Sequence, residues 1–381
     1  MQPKVLFILK QRMPGPYGSW SYSSQGTPLA SGLNVSAGQM AKALDELGID
    51  NKLVHVVDNN CIDREVYAYK PTHVIIEAFW VVPEKFDVLR KLHPNVQWIV
   101  RNHSKLPFLA NEGGMIGWAV DYMKRGVVVA SNSPEATRDL RVLAKAAGSE
   151  CRFSVFLPNY YQTLGPKHSG LLLSWNKFTR WLGFNEGMNT LPTELNIGCF
   201  GAVRPMKNHL SQAVAAIEAA EHLGSKLHFW INGNRVEGKG ESFLRSVREL
   251  FKRYPRHELH ELDWMPHDEF VKVIAKMDLV MQVSNSETFN IVAADAVANH
   301  VPVIGSTEIP WLDLEYTADP SQALDMTEKV LYILANRRRG LLQEDQLRGL
   351  KDYTEHAKML WSLYLFGSSS MHNRVKCMHC A

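Results

Sequence analysis

Two short segments carry residues whose types and spacing could do chemistry. In Phe200-Gly201-Ala202-Val203-Arg204-Pro205-Met206-Lys207-Asn208, a glycine that allows a tight turn precedes two cations, and a helical period begins where the segment ends. Cations beside a helix N-terminus could neutralise a phosphate, because the free N–H groups there already favour an anion. A solvated loop with two chance cations is the alternative. The second segment is Ser286-Glu287-Thr288-Phe289-Asn290-Ile291-Val292-Ala293-Ala294-Asp295-Ala296, followed by Asn299-His300-Val301-Pro302-Val303-Ile304-Gly305. Glu287 and Asp295 stand eight positions apart, one ahead of a helical segment and one two turns inside it, which puts them near one helix face. Asp295 lies among Ile291, Ala294 and Val297, where a charge needs a partner or a ligand. A helix-capping carboxylate and an exposed aspartate are the plainer readings.

The elements that must hold these segments follow from the patterning. Short β-branched and aromatic runs alternate with stretches of helical period, which predicts βα repeats and parallel sheets. Strands are expected at 5–9, 52–57, 73–79, 96–100, 127–131 and 153–157, and again at 195–201, 226–232, 258–262, 279–284 and 301–305. Leu33, Ala37, Met40, Ala41, Leu44 and Leu47 recur at spacings of three and four and predict the first long helix. Further helical patterns cover 207–223, 240–254, 267–276, 289–299, 320–338 and 341–366. In open α/β sheets ligands bind beyond the carboxyl ends of strands, which is where both segments fall. The expected fold class is α/β with two doubly wound, Rossmann-like domains. Their expected bounds are 1–162 and 195–340, with a linker and insertion at 163–194, a helix at 341–368 and a tail at 369–381.

The second half resembles the donor-binding domain of a GT-B glycosyltransferase, most closely the family 4 retaining group, with residues 195–320 carrying the likeness. That group places a Gly-Arg-…-Pro-Glu-Lys loop after the first strand of the domain, and a Glu-x7-Glu motif before a Gly-Val-Pro-Val strand. Aligning Gly201 with the family glycine puts Pro205 and Lys207 on the family proline and lysine. The family arginine falls on Ala202, so Arg204 is the candidate to replace it, and Asp295 stands where the family has glutamate. The resemblance implies two domains facing a cleft, with the 341–368 helix crossing back to the first. It implies that Glu287 binds donor-sugar hydroxyls, that the N–H groups of Asn290 and Ile291 meet the phosphates and that Asp295 takes the ribose. Lys207 and Arg204 would stabilise charge on the departing nucleoside diphosphate. Trp264-Met265 falls where the group frames the nucleobase, a structural tryptophan being the alternative. In the first half, Ser31-Gly32-Leu33 opens the first helix as the family glycine loop does, and Arg101-Asn102-His103-Ser104 puts His103 where related enzymes place a histidine beside the transferred sugar.

Other classes are disfavoured. No Gly-x-Gly-x-x-Gly follows the first strand, and no Gly-x4-Gly-Lys-Ser/Thr occurs, which argues against a dinucleotide site and a phosphate-loop NTPase. No Asp-x-Asp stands at a suitable strand end, so no catalytic metal and no cofactor beyond a UDP- or GDP-linked sugar is expected. Cys377-Met378-His379-Cys380 lacks a second ligand pair for zinc. At 45% hydrophobic and 21% charged residues, the 381-residue chain is too apolar for disorder and long enough for two domains. Apolar runs such as Val127 to Ala130 stop far short of the ~20 residues a membrane span needs. Five scattered cysteines suggest a reducing, cytoplasmic setting rather than a disulfide framework.

The acceptor is less legible. Residues 1–190 carry 21 Lys and Arg against 15 Asp and Glu, a surplus of six, whereas residues 191–381 carry 21 against 24. Lys177, Arg180 and Trp181, with Trp175, interleave basic and aromatic side chains as a site for a nucleic-acid backbone and an extruded base would. The stretch from Arg101 to Ser133 also resembles bacteriophage glycosyltransferases that modify hydroxymethylated DNA bases, which makes DNA a candidate partner and a host cytoplasm the setting. A glycan or small-molecule acceptor, a sugar-nucleotide epimerase and a catalytically silent binding protein are the competing readings.

Overall fold

A computed structural model describes residues 2–11, 32–163, 193–337 and 340–367. Among these the chain divides into two compact units, one formed by residues through Gln162 and from Tyr353 onward, the other by Thr163 to Asp352.

The first unit runs β1 (Lys4–Lys10), α1 (Gly32–Glu46), β2 (Asp50–Val56), α2 (Ile62–Tyr69), β3 (His73–Glu77), α3 (Lys85–Leu92), β4 (Gln97–Asn102), α4 (Leu106–Leu109), α5 (Met115–Lys124), β5 (Val128–Ser131), α6 (Pro134–Ala146) and β6 (Ser154–Phe156). Its six strands form one parallel sheet in the order β2-β1-β3-β4-β5-β6. Because strand side chains alternate between faces, Leu6, Ile8, Val74, Ile76, Trp98 and Val100 enter one core, and Val5, Phe7, Ile75 and Ile99 enter another on the opposite face. Helices cover both faces, which is why the strands read as unbroken apolar runs. Local chemistry sets the helix starts. The Ser133 hydroxyl accepts from the N–H of Ala136 at 3.1 Å, and Pro134 occupies the first helical position of α6.

The second unit runs β7 (Glu194–Val203), α7 (His209–Leu223), β8 (Lys226–Val236), α8 (Glu241–Arg253), β9 (Glu258–Glu261), α9 (His267–Ile274), β10 (Leu279–Gln282), α10 (Ile291–Ala298), β11 (Val303–Gly305) and α11 (Ala323–Asn336). Its parallel sheet has the order β11-β10-β7-β8-β9, so the chain winds outward in both directions from β7. The last helix, α12 (Leu341–Phe366), supplies residues to both units. Gln346 brackets Val303 with hydrogen bonds of 3.0 and 2.8 Å. Trp361, fully buried, belongs to the first unit, where it meets Phe7 and donates to the carbonyl of Pro158 at 2.8 Å.

Among the boundaries that differ from the sequence reading, two flank the segments that could do chemistry. The helix expected at 289–299 begins at Ile291, because Asn290 takes a left-handed conformation (φ 63°) and caps it by accepting from the N–H of Ala293 at 2.9 Å. Glu287 lies in the loop ahead of α10, as expected, and Asp295 sits one turn inside the helix rather than two. Strand β7 continues past Gly201 to Val203, with irregular register around Ala202.

Candidate functional site

The two sequence segments that could do chemistry meet in the second unit. Lys207 and Glu287, 80 positions apart, form an ion pair with side-chain exposures of 17% and 11%. Gly201 lies under the lysine: a Cβ there would sit 3.6 Å from Lys207 Cε. Gly201 also needs to be glycine for its backbone, since its φ is +114°. Its N–H donates to Asn232 Oδ1 at 2.8 Å.

Buried amides hold the two loops in place. Gln212 donates to the carbonyls of Lys207 (2.8 Å) and Asn208 (3.2 Å) and accepts from the N–H of Val283 (2.9 Å). Asn208, left-handed at φ 57°, donates to the carbonyls of Val283 and Pro320. Gln282 donates to the carbonyl of Phe200 at 3.0 Å and accepts from Asn290 Nδ2 at 2.9 Å. Asn285 donates its N–H to the carbonyl of Met206 at 2.8 Å, which joins the loops backbone to backbone. The Lys207–Glu287 pair thus stands on a preorganised frame at the carboxyl ends of β7 and β10, next to the N-terminus of α10. Beside it His209 is fully buried, with neither ring nitrogen hydrogen-bonded to the described protein; burial, then the charges of Lys207 and Arg204, depress its pKa to about 3.

Three expected donor residues already hold protein partners. The Arg204 Nε lies 3.3 Å from Glu237 Oε2, a carboxylate that Arg235 also engages. Asp295 is 1% exposed and its Oδ1 lies 2.8 Å from His267 Nε2, so the group presented outward at that place is the His267 ring, 32% exposed. Trp264 is half-buried, and the Arg235 guanidinium covers one ring face at 4.0 Å from the centroid. Met265 is half-buried beside it, and Asn290 and Ile291 lie at the α10 start as expected.

The first unit holds its own polar centre at the ends of β3 and β4. Glu77 is buried between two cation-capable groups, with Oε1 2.9 Å from Arg101 Nη1 and Oε2 2.6 Å from His103 Nε2. Arg101 is wholly buried, reaches Asn159 Oδ1 at 2.5 Å, and lies 5.3 Å from the Trp361 ring centroid. The other His103 nitrogen lies 3.3 Å from Asn132 Nδ2. Burial by itself would raise the Glu77 pKa, but Arg101 and His103 outweigh it and hold the carboxyl below its ordinary value. For His103, burial pushes the pKa down, Glu77 pulls it back and Arg101 opposes protonation, leaving it below the ordinary histidine value. The histidine is 13% exposed, so the centre presents an imidazole edge with a carboxylate behind it. Ala78, directly after Glu77, is held at φ 67°, a conformation that costs an L-residue energy and tightens the turn at this strand end.

Gly32 opens α1 in ordinary helical geometry with open space around it, so nothing in the described structure demands a glycine there. Lys177, Arg180 and Trp181, the loop before Gly32 and the Cys377–Cys380 tail lie outside the described residues. Glu77, Gln212, Gln282, Glu237, Arg235 and His267 were not anticipated. The sequence held a signal for Glu77, a charge inside the apolar run Val74-Ile75-Ile76.

No protein-family model matches the sequence, and no curated protein is similar to it at a significant level. Solved structures do match. A sucrose-phosphate synthase from Thermosynechococcus elongatus superposes with a TM-score of 0.65 over 96% of this chain and 100% of its own, at 15% identity. A UDP-forming trehalose-phosphate synthase from Burkholderia vietnamiensis gives 0.64 over 96% and 97%, at 10% identity. An Anabaena protein in complex with UDP-glucose gives 0.58 over 95% and 100%, at 11% identity. At such identities the likeness is one of fold. That fold, two parallel-sheet α/β domains, is the GT-B fold of these glycosyltransferases.

Proposed function

We propose that the chain is a nucleotide-sugar-dependent glycosyltransferase whose donor binds at the carboxyl ends of β7 and β10. The observation that carries the reading is the Lys207–Glu287 pair, held over Gly201 by buried amides at a helix N-terminus. Such a pair suits a donor with an anionic and a hydroxylated end. A diphosphate takes Lys207, and Glu287, released from the lysine, accepts from sugar hydroxyls. The N–H groups of Asn290 and Ile291 meet the phosphate oxygens. As the glycosidic bond breaks, negative charge gathers on the leaving diphosphate, and Lys207 stabilises it. Arg204, tied to Glu237, assists only at a distance. Asp295 acts through His267, which it orients toward the ribose. Trp264 offers the nucleobase the ring face that Arg235 leaves uncovered. The names of the structural neighbours, UDP-forming or complexed with UDP-glucose, support UDP as the nucleotide.

On the acceptor side, we assign His103 the role of holding a hydroxyl at Nδ1, which Asn132 yields on binding, with Glu77 fixing the tautomer at Nε2. In a retaining transfer a donor phosphate oxygen takes the acceptor proton, so this centre need only position the hydroxyl. Two acceptor classes remain in play. A small hydroxylated compound or glycan fits the sugar-phosphate synthases among the neighbours. A 5-hydroxymethylpyrimidine base in DNA is favoured by the surplus of six positive charges in residues 1–190, although Arg101, Lys105, Arg125 and Arg152 among them are paired with carboxylates.

The test is a panel of nucleotide sugars by thermal shift, followed by transfer assays with the donor that binds. Saturation at 100 times the dissociation constant adds about 2.7 kcal/mol of stability. Binding of no nucleotide sugar refutes the donor site. An altered sugar without acceptor indicates an epimerase. A mass gain of one sugar on 5-hydroxymethylcytosine duplex establishes the DNA acceptor, with affinity falling steeply in salt, and transfer only to small hydroxylated compounds excludes it.

A further inference from the structure

At the opposite, amino ends of the second-unit strands, β8 and β9 bring together three side chains that could bind a metal. The pairing sets His228 beside Glu258 and Trp230 beside His260. Leu227, Phe229 and Ile231 face the core, so His228 and Trp230 share the other face of β8. There His228 Nδ1 lies 3.0 Å from His260 Nε2 and 3.2 Å from Glu258 Oε2, and the last two atoms are 3.3 Å apart. Among the described residues these are the only three His, Cys, Asp or Glu side chains whose ligating atoms gather so closely.

One proton can bridge the two nitrogens, but it then leaves the Glu258 oxygen facing a bare nitrogen 3.3 Å away. Each neutral imidazole carries one N–H, and if both point at the carboxylate oxygen, the 3.0 Å contact between the nitrogens is left without a bond. A cation at the centre satisfies all three atoms at once. With metal–nitrogen and metal–oxygen bonds of about 2.0–2.1 Å in a tetrahedron, neighbouring ligand atoms stand about 3.3 Å apart, close to the three edges seen here. The surroundings fit as well. Trp230 stacks on His260 at 4.0 Å and 14° and is itself fixed by donating to Asn196 Oδ1, which sets the ring's direction. Glu194 Oε1 stands 3.9 Å from the far nitrogen of His228, beyond hydrogen-bond reach but close enough to add negative charge. Lys226 holds the other Glu258 oxygen, leaving Oε2 for the ion, and the two glutamates against one lysine leave a net negative site.

We propose that His228, His260 and Glu258 form a binding site for a divalent transition-metal ion of the zinc class, three protein ligands with water in the fourth place. The site ties the edge strand β9 to β8, away from the donor loops, and its role is structural. The mixed nitrogen and oxygen set favours Zn²⁺, Co²⁺ or Ni²⁺ over Mg²⁺ or Ca²⁺.

The metal-stripped full chain is titrated with Co²⁺ and, in a second series, with Zn²⁺ against a chelating dye. The expected result is one equivalent bound, with the intense visible bands of tetrahedral cobalt, and a melting temperature raised by Zn²⁺ but not by Mg²⁺. His260→Ala and Glu258→Gln each lose the visible bands and weaken Zn²⁺ at least ~100-fold. Glu258 is 45% exposed, so its variant keeps the test valid if His260→Ala does not fold. No uptake by the wild-type chain, or uptake that survives both ligand substitutions, overturns the proposal.

Discussion

Removing either member of the Lys207–Glu287 pair should separate catalytic from structural cost. Both side chains are mostly covered, at 17% and 11% exposure, so deleting one leaves the other's charge poorly solvated. That loss is about 1–3 kcal/mol of fold stability, read as a fall in denaturant midpoint. Deleting both removes the orphaned charge, so Lys207→Ala/Glu287→Ala should be less destabilised than the sum of its parts, by on the order of 1 kcal/mol. Turnover behaves differently. Each alanine should lower kcat at least ~100-fold, about 2.7 kcal/mol of transition-state stabilisation, because one side chain faces the leaving diphosphate and the other the sugar hydroxyls. The double variant should be no faster than the slower single one. The assay is release of nucleoside diphosphate at saturating donor, normalised to folded protein, with donor binding followed by thermal shift. Wild-type turnover in either single variant, with donor shown to bind, would refute the reasoning and leave the pair a structural clamp.

Asp295→Ala and His267→Ala should both raise the donor KM with little change in kcat, since the aspartate acts by holding the histidine; a pure loss of kcat would break that link. Gly201→Ala should destabilise by about 1–3 kcal/mol through its +114° φ, measured by chemical denaturation, and a neutral result would mean the turn relaxes freely. Acid should weaken the fold through His209. Its folded pKa, about 3, lies below the ordinary 6.5, so the contribution is full above pH 6.5 and is lost as pH falls toward 3, where the unfolded chain takes up the proton first. His209→Gln should flatten the stability–pH slope over that range, and an unchanged slope would assign the acid loss to other groups.

What the sequence disclosed follows physical range. Period-2 and period-3.6 patterns are local, so strands such as Glu258–Glu261 and helices such as Leu341–Phe366 fall within a residue or two of their expected places. The loop after β7 and the loop after β10 were each legible, because glycine, cation and carboxylate cluster within a few positions. Their partners were not. His267 lies 28 positions from Asp295, and Glu237 lies 33 from Arg204, so only sheet order brings each pair together. Asp295 announced that it needed a partner without saying which. The same holds for His228 and His260: each is an ordinary strand residue until the β8–β9 register sets them side by side. Glu77 carried a local signal, a charge closing an apolar strand, but its partners Arg101 and His103 lie 24 and 26 positions on.

The place of Trp361 bears on how the protein is made. Its ring belongs to the core built around Phe7, Ile75 and Ile99, and it donates to a carbonyl 203 positions earlier in the chain. A ribosome adding about 5–20 residues per second needs about 10–40 s to cover that distance. During this interval the first six strands are outside the exit tunnel with one face of their sheet incompletely covered, while the second unit's strands, contiguous from β7 to β11, emerge complete. Synthesis therefore inverts the usual order, and the unit begun first is finished last. In that window the nascent chain offers apolar sheet surface to chaperones, and a ribosome stalled before residue 361 carries a first unit that cannot yet protect itself from proteases.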